Sequence, residues 1–94
     1  MIEYHLTKQG EFSNEDFVSI INKAFKKISK KYNLEKEDFK QIRHSRNQGF
    51  IVNGQNYIGE YLTFEIKRNE ETISHLDCFY AVNNGYIEIF SVPV

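Results

Sequence analysis

The sequence predicts an α+β fold: one long N-terminal helix packed on a four- or five-stranded antiparallel sheet arranged as a meander. Three observations predict it. Residues 14–32 form a capped amphipathic stretch, and Asn53-Gly54 and Asn84-Gly85 punctuate the second half with the residue pair that tight hairpins favour. Between and after those pairs run segments rich in β-branched and aromatic residues, the composition of strands. Ninety-four residues make a single domain, 1–94, because a chain this short has no room for a second independent core.

The elements follow in order. Ile2, Tyr4 and Leu6 alternate with Glu3, His5 and Thr7, the period of a strand with one apolar face. Ser13 and Asp16 then form a capping-box pattern, flanked by Phe12 and Phe17 at the spacing of a hydrophobic staple. Phe17, Ile20, Ile21, Ala24, Phe25 and Ile28 recur at helical spacing, with Val18 and Tyr32 at the edge of the stripe. Asn33, tolerant of the left-handed conformation, ends the helix. Residues 34–48 fit two structures. Leu34, Asp38, Phe39 and Ile42 suit a short helix, whereas Phe39, Gln41 and Arg43, alternating with Lys40 and Ile42, suit the start of a strand. Strands are expected over Tyr57–Arg68, Thr72–Val82 and Tyr86–Val92.

Turn chemistry sets an expected register. With Asn84-Gly85 at the centre of a two-residue turn, Tyr80 faces Ile89, Cys78 faces Ser91 and Phe79 faces Phe90. In the preceding hairpin an odd-length loop, Asn69-Glu70-Glu71, keeps the apolar residues of both strands on one face; it pairs Phe64 with Leu76, Leu62 with Cys78, Tyr61 with Phe79 and Glu65 with His75. Ile58, Leu62, Phe64, Ile66, Leu76, Tyr80, Val82, Ile87 and Ile89 then lie under the helix. The other face still carries Tyr57, Tyr61, Phe79, Tyr86 and Phe90, with Phe50 as a further candidate and Tyr61–Phe79–Phe90 as a row across three strands.

Composition excludes several classes. Eight Phe, six Tyr, a hydrophobic fraction of 40% and a net charge of −1 exclude intrinsic disorder. One Cys excludes a disulfide framework and a multi-cysteine zinc site. The N-terminus MIEYHLTKQGEF lacks the profile of a signal peptide, and no apolar run is long enough to span a bilayer, so a cytoplasmic protein with no membrane partner is expected. The near-zero net charge hides an uneven distribution. Residues 23–46 carry nine Lys or Arg against three acids, whereas residues 1–22 sum to −3 and residues 47–94 to −4. Such asymmetry can steer an anionic partner.

A helix covers one sheet face, so the aromatic outer face needs an explanation. Residues 34–48 could fold back over it; another protein or a second copy could dock there, since contiguous apolar area marks interaction sites; or bases could stack on it, against the repulsion of Glu65, Asp77 and Glu88 on the same face. Docking carries the functional expectation. The reading is a small non-enzymatic binding protein of inhibitor or immunity type, using Tyr57, Tyr61, Phe79, Tyr86 and Phe90. The alternative is a nucleic-acid-binding module using Lys23, Lys27, Lys30 and Lys31 with Arg43 and Arg46; the bland explanation of the helix lysines is a solvated outer face. A third reading makes His44, between Arg43 and Arg46, the proton-transfer group of a small nuclease, although no partner stands at a diagnostic spacing. His75 and Asp77 lack a third metal ligand, unless His5 supplies it, and the simpler role for His75 is a surface ion pair with Glu65. Cys78 reads as a small core hydrophobe. No cofactor, metal or catalytic residue is therefore assigned.

Overall fold

The structure, a computed structural model, describes residues 2–81 and 85–94. The elements are β1 (Tyr4–Gln9), α1 (Asn14–Tyr32), a 3₁₀ turn (Lys36–Asp38), β2 (Phe39–Val52), β3 (Gln55–Arg68), β4 (Glu71–Ala81) and β5 (Tyr86–Pro93). The strands form one antiparallel sheet in the order β1-β5-β4-β3-β2, so β2 to β5 are a meander and β1 closes the far edge beside β5. This is the expected α+β architecture.

Local chemistry explains α1. The Ser13 hydroxyl accepts from the Asp16 amide at 3.2 Å, and the Asp16 carboxylate accepts from the Ser13 amide at 2.8 Å, satisfying two otherwise orphaned N–H groups. Phe12 and Phe17 are both buried, as a staple requires. Asn33 ends the helix at φ 55°, and the Leu34 amide reaches back to the Ser29 carbonyl. Phe17, Ile21, Ala24 and Ile28 enter the core against Leu62, Ile66, Leu76, Cys78, Ile87 and Ile89, and the Phe17 ring stacks on Tyr80 at 3.8 Å.

Between β3 and β4 the expected pairs are found: Phe64 with Leu76, Leu62 with Cys78, Tyr61 with Phe79 and Glu65 with His75. The device that achieves them is different. Asn69 and Glu70 alone make the turn, at φ 53° and 64°, and Arg68 pairs with Glu71. Parity is restored by a bulge at Ile73, the extra residue between the pairs Lys67–Thr72 and Ile66–Ser74. Between β4 and β5 the expected register is corrected by two residues: Tyr80 pairs with Ile87, Cys78 with Ile89 and Phe79 with Glu88. A two-residue slip keeps every side chain on its expected face and changes only its neighbours. Phe90 therefore pairs with Asp77, and the row Tyr61–Phe79–Phe90 does not form. The expected Asn84 turn position and Val82 lie outside the described residues.

Residues 39–52 resolve as strand. Asn53-Gly54 turns the β2–β3 hairpin at φ 50° and 79°, the all-positive geometry for which that pair was singled out. β2 carries two more residues than β3 over the paired length, one at Ile42 and one within Arg46-Asn47, where Asn47 sits at φ 55°. Bulges on one strand bend a hairpin. Beyond Gly59 the hairpin forms an arm that lies over the outer face of the sheet. A Cβ at Gly59 would sit 2.0 Å from the Tyr80 carbonyl oxygen and 2.9 Å from the Ala81 Cα, so only glycine lets the two backbones cross there.

The arm answers the question of the outer face. Tyr57, Phe79, Ala81 and Tyr86 form a second buried cluster with Val52 and Tyr61 packed beside it. Tyr57 stacks on Tyr86 at 4.7 Å, and Phe50 stacks on Phe79 at 4.9 Å. The cover is residues 50–57, not residues 34–48. Ile58 is corrected as well: its side of the arm is turned away from the body, and it stands 58% exposed instead of under α1.

Candidate docking surface

Of the five rings expected to dock a partner, Tyr57, Phe79 and Tyr86 are buried beneath the arm at 4%, 2% and 3% exposure. They belong to the interior, because the arm supplies from within the chain the apolar cover that a partner was expected to supply. Tyr61 and Phe90 remain half-buried at the surface. The Arg43 guanidinium lies 4.9 Å above the Tyr61 ring, which leaves that ring partly capped by a cation.

What the fold exposes is the arm itself. Along the arm the pairs Gly49–Ile58 and Ile51–Asn56 alternate with Phe50–Tyr57 and Val52–Gln55. Phe50, Tyr57 and Val52 point to the second cluster, so Ile51 and Ile58 share the opposite, outward side, 75% and 58% exposed. Ile42, at the first bulge, is 49% exposed. Residues 39–59 contain Lys40, Arg43, His44 and Arg46 and no acidic residue. β2 is also a sheet edge, yet its bulges and cations are the features that discourage another strand from pairing there. Recognition through this region thus falls to its side chains. No sequence pattern marked Ile51 and Ile58: the signal is the bend, which sets them on the outside.

The cations of the alternative site are dispersed. Lys31 is 2.7 Å from Glu3, a carboxylate enclosed by the end of α1, and Tyr32 donates to the same group. Lys23 and Lys27 flank α1 on the β1 side, beside Tyr4 and Leu6, whereas Lys30 overlooks β2. Arg43 lies over Tyr61 on the outer face; Arg46 is beside Glu60 at 3.8 Å. The six do not form one patch.

Around His44 the fold assembles groups that spacing along the chain did not reveal. His44 Nε2 is 2.5 Å from Glu60, and the Tyr80 hydroxyl donates to Glu60 at 2.7 Å. Hydrogen bonds from Tyr80 and then His44 hold the Glu60 carboxyl below its ordinary range, while burial, with the Glu60 contact, pushes Tyr80 up to about 12. A carboxylate that fixes a histidine ring can serve proton transfer. The same arrangement recurs on the outer face, where His5 Nε2 is 2.5 Å from Glu88, and Thr7 and Tyr86 donate to Glu88 at 2.7 and 2.8 Å.

The remaining expectations resolve simply. His75 faces Glu65 across the strands, but Glu65 accepts instead from Thr72 at 2.8 Å, and no His75 ion pair forms among the described residues. Among the described residues no three His, Cys, Asp or Glu side chains converge as a metal site. Cys78 is fully buried, and burial pushes its thiol up to about 12, so it packs as an apolar group. Among the described residues no helix is long and apolar enough to cross a membrane. The chain matches no protein-family model, no curated protein and no solved structure.

Proposed function

We propose that this protein is a non-enzymatic binding protein, of inhibitor or immunity type, that docks on another protein through the outward side of its β2–β3 arm. The observation that carries the reading is the pair Ile51 and Ile58, two large aliphatic side chains exposed on the same side of an uncharged arm. Exposed apolar groups rimmed by polar and charged ones mark interaction surfaces. The complementary surface on the partner is apolar. Of the rings expected to dock, Tyr61 and Phe90 stay half-buried at the surface of the body. A cytoplasmic setting belongs to the same reading.

The test is capture from a lysate of the source organism, in nuclease-treated and untreated halves, with the wild type and with Ile51→Glu/Ile58→Glu. Both side chains are solvated, so the variant should melt like the parent. A near-stoichiometric protein that survives nuclease and is lost with the variant supports docking. Recovery unaffected by the variant removes the arm from recognition.

Nucleic acid is the alternative partner, supported by Lys23, Lys27 and Lys30, none of which has a carboxylate within ion-pair distance among the described residues. It predicts affinity falling steeply with salt and lost in Lys23→Glu/Lys27→Glu/Lys30→Glu. A nuclease centred on His44 would lose cleavage in His44→Ala. The recurrence of a histidine–carboxylate–tyrosine cluster on both faces of the sheet supports a structural role for His44 instead.

A further inference from the structure

The helix roofs only part of its sheet face. Between the Lys26–Lys30 flank of α1 and the start of β2 opens a groove of about 1090 Å³. Its floor is Phe25, Phe39 and Phe64, all half-buried, with Phe25 centred 4.7 Å from Phe39 and 5.0 Å from Phe64. Its rim is cationic: Lys26 and Lys30 come from the helix and Lys36 from the 3₁₀ turn, and no acidic side chain lines it. Among the described residues none of these three ammonium groups has a carboxylate within ion-pair distance.

That combination selects a ligand class. The volume suits a small molecule, and sites of this kind pair an apolar lining with a few polar groups that fix orientation. The three cations ask for an anionic head. The rings meet at 48° and 84°, so they form a trough and offer no flat platform on which a base could stack. A flexible aliphatic body fits such a trough better than a planar one. We propose that the groove binds a single-chain anionic amphiphile, an acyl carboxylate, with its tail along Phe25, Phe39 and Phe64 and its head among Lys26, Lys30 and Lys36. This site is separate from the arm, and it stands or falls independently of the docking reading.

The test is titration of the full chain with sodium decanoate below its micelle concentration, followed by NMR, beside 1-decanol as a neutral probe of equal length. Decanoate should shift the ring signals of Phe25, Phe39 and Phe64 and bind more tightly than decanol. Lengthening the chain should tighten binding about fourfold per methylene while the trough accommodates it. Lys26→Glu/Lys30→Glu/Lys36→Glu should weaken decanoate at least tenfold and leave decanol unchanged. Lys23→Glu/Lys27→Glu, on the other flank of the helix, should change neither. Shifts confined to the exposed isoleucines of the arm, an absence of binding, or equal loss in both lysine variants would overturn the proposal. Thermal melts of the variants separate loss of the site from loss of the fold.

Discussion

Two apolar clusters lie on opposite faces of one sheet. Under α1, Leu62, Ile66, Leu76, Cys78, Ile87 and Ile89 meet four buried residues of a nineteen-residue helix, a mainly aliphatic core closed by a rigid element. On the other face, Tyr57, Phe79, Ala81 and Tyr86 are closed by the tip of a bent hairpin, a mainly aromatic core covered by two strands. The first is dense and continuous with the whole fold. The second depends on one bend holding, so it is the cluster that can open locally while the rest of the domain stays folded.

The largest expected effect falls in the first cluster. Leu76 is fully buried, and Leu76→Ala removes its contacts and leaves a cavity beneath the helix, at a cost of about 2–5 kcal/mol. Thermal unfolding should show it as a drop of roughly 10 °C or more, with the whole domain melting earlier. A variant that melts like the parent would mean that this cluster is not where stability resides.

Gly59→Val should separate the two clusters. The new side chain collides with backbone at Tyr80 and Ala81, which cannot move as a flexible side chain would. The expected cost is about 1–3 kcal/mol, taken mainly by the arm. Hydrogen exchange should then accelerate at Tyr86 and along the arm from Gly49 to Gly59, with Leu76 still protected. Uniform loss of protection would show that the arm unfolds only with the whole domain.

The helix and the β3–β4 pairing were legible because both are local: Ser13, Asp16 and Asn33 mark the ends of a helix, and alternation fixes a face. The bend was not. It depends on extra residues at Ile42 and Arg46-Asn47 and on the absence of a side chain at Gly59, and each of those carries meaning only once β3 is laid against β4. The outer rings were correctly assigned to one face, yet their cover came from fifty residues into the chain. Nothing local in Phe50 or Tyr57 says that they pack on Phe79 and Tyr86. Tyr57, Phe79 and Tyr86 are buried by the same bend, while the apolar identity of the face was read correctly.

Each cluster also has a carboxylate latch, and pH tests them together. Burial alone would raise Glu3, but hydrogen bonds from Lys31, Tyr32 and Ser74 outweigh it and hold the carboxyl low. Burial would likewise raise Glu88, and His5, Thr7 and Tyr86 hold it low. A folded value below the unfolded one means that the stabilisation is complete above roughly pH 4.3 and is lost as pH falls through the lower, folded value. Glu3→Gln should cost about 1–3 kcal/mol at pH 7 and flatten the acid limb of a stability–pH curve. Glu88, with a side chain 18% exposed against 3% for Glu3, should show the smaller change in the same experiment. Equal acid limbs in wild type and Glu3→Gln would show that this latch contributes nothing.

The smallest effect isolates the lid of the second cluster. Phe50 is 36% exposed, so Phe50→Ala leaves an open dent and no closed cavity; it removes the ring's partial burial together with its stacking on Phe79 and, at 6.1 Å, on Tyr86. Such ring pairs contribute about 0.5–1.5 kcal/mol beyond the area they bury, and the lost burial of a surface ring adds on the order of 1 kcal/mol. The melting temperature should fall by only a few degrees, but the ring-current shifts of Phe79 and Tyr86 should change clearly, because they report the missing ring directly. Unchanged shifts would mean that the tip does not rest on the sheet in solution, and Tyr57, Phe79 and Tyr86 would then return to the surface as candidates for docking.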